Sequence, residues 1–280
     1  MLIIRTRSEL QKFALDNKRN GKTIALVPTM GFLHDGHMSL IDIARKKADI
    51  LIVSLFVNPT QFAPNEDFDS YPRDFERDAA MCAEHDVDVL FAPTKEEMYQ
   101  PDASVFVEET MLSRPLCGKS RPIFFRGVTT VVAKLFLLAQ PDFAVFGEKD
   151  AQQLLVIKKM VRDLDFPVEI IAGKLIRDVD GLALSSRNRY LSCDERLRAL
   201  AIHNSLVKTK QRIICGNDMN SAVAEAVATI TASGGKVDYV SVLDTETLEA
   251  PTASTRRVLL AAAAWYGTTR LIDNEMFDLP

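Results

Sequence analysis

His34 and His37 stand three residues apart around Gly36, between an apolar run and a helical pattern. Imidazoles at that spacing can point their ring nitrogens at neighbouring oxygens of one polyphosphate, and the glycine lets the backbone come close. Residues 23–37 read as a buried strand, a glycine-bearing loop and the approach to a helix over 38–48. A helix start exposes backbone N–H groups and the positive end of its dipole, which together favour an anion. In a random helix two such histidines would more often only hydrogen-bond their own turn. Placed between strand and helix early in an α/β pattern, they point to phosphate, because such folds bind nucleotides there.

Further candidates lie at other strand ends. Residues 49–57 form a continuous β-rich apolar run of the kind covered on both faces in a parallel sheet. Asn58 and Gln61 follow it directly, where open α/β sheets bind ligands, although Asn58-Pro59 also suits a plain turn. The strand expected at 143–146 runs through Gly147-Glu148-Lys149-Asp150 into a helix over 151–164. Asp150 as N-cap with Gln153 three residues on has a structural explanation. Lys149 does not, since a lysine at the positive end of a helix is unfavourable by a few tenths to about 1 kcal/mol; a nearby anion would rationalise it. Residues 176–188 break the rhythm with a glycine, Ser185, Ser186 and Arg187, which suggests a mobile phosphate-contacting loop. Arg121 and Arg126 could serve anions, but surface carboxylates are the commoner partners.

The elements that must position these groups alternate. A strand at 2–4 precedes a helix to about residue 20, opened by Ser8 and Gln11 as a capping box. After the 49–57 strand come a polar loop at 63–73, a helix at 74–85, a strand at 87–91, the apolar helix ending at 139, and a strand at 168–173. This is the pattern of an α/β doubly wound (Rossmann-like) parallel sheet. Later segments change character: Ser192 with Glu195 caps a helix to about 215, a second starts at Asp218 or Asn220, and strands at 237–243, 257–266 and 270–272 end in a hairpin at Gly267. The expected division is a Rossmann-like ligand-binding domain at 1–175 and a smaller α+β C-terminal lid domain at 176–280. No internal repeat or low-complexity linker is visible.

The 280 residues are 47% hydrophobic and 26% charged, with a formal net charge of −4. That composition belongs to a soluble globular chain and argues against a generic nucleic-acid or anionic-membrane surface. Cys82, Cys117, Cys193 and Cys215 are scattered without a CxxC pair, so neither a zinc site nor a disulfide framework is indicated, and no residue is assigned as a metal ligand. No apolar leader or spanning run is evident, and the expected location is the cytoplasm.

The His34-Asp35-Gly36-His37 segment resembles the HxGH signature of the nucleotidyltransferase and class I synthetase superfamily. Together with Pro28-Thr29-Met30-Gly31, residues 56–62, Phe146-Gly147-Glu148-Lys149-Asp150 and residues 181–191, it resembles the pantothenate synthetase (pantoate–β-alanine ligase) family in order and spacing over nearly the whole chain. The resemblance implies ATP-dependent condensation of pantoate with β-alanine through a pantoyl-adenylate, with AMP and diphosphate released. It implies an ATP site lined by Met30, Gly31, Phe32, Leu33, His34, Asp35, Gly36, His37, Gly147, Glu148, Lys149, Asp150, Ile176, Leu184, Ser185, Ser186 and Arg187. His34, His37, Lys149 and Arg187 take the catalytic roles, with His37 a proton donor; Gln61 and Gln153 bind pantoate, and Asn58 joins them. Mg2+ bridging the phosphates and a homodimer are implied as well.

The chain departs from the family pattern at Ile123-Phe124, where Gly-His is usual, at Cys117, where an acid is usual, and at Ala151, where a larger apolar residue is common. These changes imply retained activity with altered kinetics at the pantoate end. Two rivals follow: a nucleotidyltransferase of the same superfamily, against which the two glutamines argue, and a catalytically impaired nucleotide-binding homologue.

Overall fold

Continuous apolar runs with β-branched residues form the central strands. β2 (Ile24–Thr29) and β3 (Ile50–Leu55) are buried over nearly their whole length, as strands covered on both faces must be. The computed structural model describes residues 1–64 and 66–280; Asn65, within the polar loop expected over 63–73, lies outside the described residues. Two compact units emerge, one of Met1–Thr110, Arg121–Glu148 and Val156–Lys174, the other of Met111–Ser120, Lys149–Leu155 and Leu175–Pro280.

In the first unit, β1 (Leu2–Ile4), β4 (Val89–Phe91), β3, β2, β5 (Phe143–Gly147) and β6 (Glu169–Gly173) form one sheet in that spatial order. Every pairing is parallel. The chain therefore builds outward from β2 through β3 to β4, then returns to the other side of β2 for β5 and β6. The reversal between β2 and β5 is a topological switch point, where open α/β sheets hold ligands beyond the carboxyl ends of their strands. Helices α1 (Arg7–Arg19), α2 (Asp35–Arg45), α3 (Phe75–Glu84), α4 (Lys95–Met98) and α6 (Phe124–Ala139) connect the strands, with the short α5 (Cys117–Ser120) preceding α6 in the chain. The α2 side of the sheet buries Val27, Ile41, Val53 and Val145 in one core.

The start of α1 differs from the expected Ser8–Gln11 box. Thr6 is the cap: its hydroxyl accepts from the Glu9 backbone N–H and donates to the Glu9 carboxylate at 2.7 Å. Two overlapping candidates compete there, and the one whose acid also accepts the hydroxyl proton wins. Helix α7 (Ala151–Asp163) is likewise entered through a 3-10 turn at Glu148–Asp150 where an Asp150 N-cap was expected.

The second unit carries β7 (Lys236–Asp244), β8 (Arg257–Tyr266) and β9 (Thr269–Asp278) as an antiparallel sheet with β8 central. Helices α8 (Cys193–Ile214) and α9 (Met219–Ala232) share its core through Ile202, Leu206, Ile230 and Leu260. Ser192 and Glu195 form the expected reciprocal capping box on α8, and Asp218 caps α9. The last strand runs to Asp278, well past the expected 272.

Candidate active site

The β2–α2 junction is built around the two histidines. His34 is the N-cap of α2, and its Nδ1 accepts from the Gly36 N–H at 3.2 Å. His37, at the third helical position, returns the bond, its Nδ1 accepting from the His34 N–H at 3.3 Å. Histidines thus fill both places of a capping box, and their ring centroids lie 4.1 Å apart. A neutral imidazole whose Nδ1 accepts must carry its proton on Nε2. Each ring therefore presents an Nε2–H donor, the chemistry a phosphate oxygen requires. The turn-bonding role thus occupies one ring nitrogen, Nδ1, of each histidine.

The loop before the box is held in an unusual backbone conformation. Gly31 and Phe32 both have positive φ, 88° and 52°, a region costly for a bulky side chain. Asp78, at 1% exposure, offsets that cost by accepting from the Phe32 N–H at 2.7 Å and the Leu33 N–H at 2.8 Å. Neighbouring Arg77 donates to the Leu33 carbonyl at 2.9 Å and lies 5.0 Å over the Phe32 ring. Burial pushes the Asp78 carboxyl above its ordinary range, and the two N–H groups oppose that push. Sequence reasoning missed this pair. Its signal was available: Asp78 and Cys82 share one face of α3, so an acid stands on the buried stripe.

Beyond β3, Gln61 ends a 3-10 turn (Pro59–Gln61) and is buried. Its Oε1 accepts from Asn58 Nδ2 at 3.1 Å, and its Nε2 lies 3.0 Å from Met30 Sδ, so the structure brings three of the expected site residues together. Asn58 is engaged at both polar ends: Nδ2 also donates to the Gly127 carbonyl at 3.0 Å, and Oδ1 accepts from Thr60 Oγ1 and the Tyr99 hydroxyl, each at 2.9 Å. Its geometry is that of a support for Gln61. A Cβ on Gly127 would stand 2.5 Å from the Thr60 carbonyl oxygen, so only glycine lets α6 approach this turn. Arg121 takes the carboxylate partner: its Nε and NH2 meet Glu66 at 2.6 and 2.5 Å, and NH2 donates to the Gln61 carbonyl at 3.2 Å. Phe124 opens α6 with the Arg121 guanidinium 4.0 Å over its ring. Gly147 and Glu148 leave β5 at the same sheet end as the β2 and β3 loops.

The second unit holds the remaining expected residues. Lys149 Nζ lies 3.6 Å from Asp150 Oδ2, so the lysine has a neighbouring carboxylate within its own turn. Adjacent glutamines on α7 divide their work. Gln152 is buried, accepts from the Cys117 N–H at 3.0 Å and donates to the Leu112 and Pro115 carbonyls at 2.8 and 2.7 Å. Gln153 is half-buried and has no side-chain hydrogen bond among the described residues. Residues 176–184 fold as a small hairpin: Arg177 bridges Ala183, and the Leu184 N–H donates to the Ile176 carbonyl at 3.0 Å. Ser185 then caps a 3-10 turn (Ser186–Tyr190), its hydroxyl accepting from the Arg187 N–H at 3.3 Å.

A doubly wound parallel sheet with an HxGH helix start at its switch point places the chain among the nucleotide-binding α/β folds. Comparison with known proteins narrows this class. The profile of the pantoate-beta-alanine ligase family matches residues 2–276, and the chain belongs to that family. The pantothenate synthetase of Thermotoga neapolitana is 51% identical, covering 98% of this chain and 99% of the relative. That of Moorella thermoacetica is 49% identical over 100% of this chain and 99% of the relative. Among solved structures, pantothenate synthetase from Thermus thermophilus superposes with a TM-score of 0.92 at 41% identity, covering 98% and 99% of the two chains. Pantoate-beta-alanine ligase from Francisella tularensis, complexed with beta-gamma ATP and beta-alanine, superposes at 0.82 with 34% identity, covering 99% and 97%. Among the described residues no helix is long and apolar enough to cross a membrane.

Proposed function

We propose that this chain joins pantoate to β-alanine at the expense of ATP, releasing AMP and diphosphate. A carboxylate is a poor acyl donor, because its charge resists attack by an amine. Activation solves this: the pantoate carboxylate attacks the α-phosphorus, diphosphate leaves, and the pantoyl-adenylate formed is then opened by the amine of β-alanine. Such chemistry needs oriented substrates and charge stabilisation, with no covalent protein nucleophile.

In this reading His34 and His37 hold the triphosphate through their Nε2–H groups, and His37 serves the departing diphosphate. Lys149, Ser185, Ser186 and Arg187 neutralise charge on the same phosphates. Met30 to His37, Gly147 to Asp150, Ile176 and Leu184 line the nucleotide. Gln61 and Gln153 bind pantoate, and Asn58 acts through Gln61. Mg2+ would enter with ATP, because it favours phosphate oxygens and water as ligands, and would neutralise phosphate charge; the described residues contain no group of three or more His, Cys, Asp or Glu able to cage an ion. A homodimer in the cytoplasm completes the proposal.

The observation that carries this reading is the histidine capping box at the switch point, with both Nδ1 atoms bonded to backbone. The test is AMP release with each substrate omitted in turn. The expected result is release only when pantoate, β-alanine and ATP are all present, and strongly reduced release from His37→Ala. Undiminished turnover in that variant would remove the role given to His37, and failure to rescue a pantothenate auxotroph would favour an impaired homologue.

A further inference from the structure

Strand β9 carries two adjacent polar residues that are almost wholly buried, Asp273 at 4% and Asn274 at 7% exposure. Neighbours on a strand point to opposite faces, so one dipeptide reaches two different loops. The Asp273 carboxylate takes both terminal nitrogens of Arg177, at 2.7 and 3.0 Å. Arg177 stands at the base of the hairpin leading into Ser185, Ser186 and Arg187, and also donates to the Gly181 carbonyl at 3.2 Å. Asn274 reaches the other loop, its Nδ2 donating to the backbone carbonyl of Lys149 at 2.9 Å. The two supports are coupled, because the Asn274 N–H donates to Asp273 Oδ1 at 2.7 Å.

Burying a carboxylate and an amide in a sheet is costly, and an ion pair there seldom stabilises more than well-packed apolar residues would. What these groups add is geometry. We propose that Asp273 and Asn274 are positioning residues for catalysis: Asn274 sets the placement of the Lys149 loop, and Asp273, through Arg177, sets the base of the Ser185–Arg187 loop. This rests on the phosphate roles assigned to Lys149 and Arg187 above. Neither β9 residue touches substrate in this reading, so their effect should appear in turnover.

The experiment compares full-length wild type with Asn274→Leu, which keeps the size and removes the donor, and with Asp273→Asn. Each substrate is varied in steady-state kinetics, and folding is checked by thermal melting. Misplacement on the ångström scale is expected to lower kcat roughly tenfold to a hundredfold, with the KM values for pantoate and β-alanine essentially unchanged. Because Asn274 acts through Lys149, Asn274→Leu on a Lys149→Ala background should add little further loss. Should Asn274→Leu not fold, Asn274→Ser, still polar but too short to reach, takes its place. Full turnover in a folded Asn274 variant, or losses that simply multiply in the double variant, would overturn the proposal while leaving the phosphate roles intact. Full turnover in Lys149→Ala would instead overturn the roles beneath it, so the two failures are separable.

Discussion

Two strand–glycine–loop–helix junctions in this chain solve the same problem by different means. At the β2–α2 junction the side chains proposed to hold phosphate are themselves the cap, so the rings of His34 and His37 cannot move without breaking the helix start. Behind them Asp78 and Arg77 hold a backbone that Phe32 would otherwise resist. At the β5–α7 junction the chain enters the helix through a 3-10 turn, the Lys149 ammonium meets a local carboxylate, and the loop backbone is tied to Asn274, 125 residues further on. The first junction is organised by its own turn and the neighbouring helix. The second is organised by the end of the chain.

The largest effect separating the two comes from removing the functional side chains. His37→Ala and Lys149→Ala are both expected to lower kcat by roughly 10²–10³, the usual loss for one preorganised donor. Only the histidine variant should also lose stability, by about 0.5–2 kcal/mol, because it deletes half of a capping box. Chemical denaturation of both proteins beside wild type checks this. Equal stability losses would mean that the histidine cap does not anchor α2, and the contrast between the junctions would collapse.

Next in size is the support under the first junction. Asp78→Asn keeps the shape but turns one acceptor into an N–H₂ group facing a backbone N–H, which is expected to cost about 1–3 kcal/mol and to reduce turnover through the displaced loop. The effect has a pH signature. Burial raises the Asp78 pKa above the ordinary 3.8, so between 3.8 and the higher folded value the native protein binds more protons than the unfolded chain. Stability from this group is therefore complete below 3.8 and declines as pH rises through the folded value. The wild-type advantage over Asp78→Asn should accordingly be smaller at neutral pH than in mild acid. An advantage that grows with pH would show that the two N–H bonds outweigh burial.

This contrast also explains what could be read in advance. The sheet was legible because β2 and β3 are continuous apolar runs, and the place of the histidine pair at a strand–helix junction because both residues lie within four consecutive positions between a strand and a helical pattern. The caps of α8 and α9 were legible for the same reason of locality. Misreadings came where local rules competed, as with Thr6–Glu9 against Ser8–Gln11, or where the chain took a 3-10 turn in place of an Asp150 cap. The polar supports were invisible for a different reason. Nothing near Lys149 announces Asn274, and nothing near Arg177 announces Asp273, since side-chain contacts between segments far apart in the chain bring them together. Asp78 lies between these cases, a single acid on an otherwise buried helical stripe.

The smallest expected effect concerns Ile123 and Phe124, where the family pattern has Gly and His. Ile123 sits at the start of α6 without a side-chain cap, and the Phe124 ring lies under the Arg121 guanidinium. Arg121 has independent support, because Glu66 grips two of its nitrogens and the Gln61 carbonyl accepts from the same group. A cation–π contact of this kind contributes about 0.5–2 kcal/mol, and the Glu66 and Gln61 bonds hold Arg121 independently of it. Gly127, not the 123–124 pair, sets how closely α6 approaches the Gln61 turn. The double substitution Ile123→Gly with Phe124→His should therefore shift the pantoate KM only a few-fold and leave the ATP KM unchanged. Kinetics with pantoate and ATP varied separately decide it. A large rise in kcat would mean that the present pair impairs catalysis, and that the Gln61 turn depends on the Phe124 ring as well as on Glu66 and Gly127.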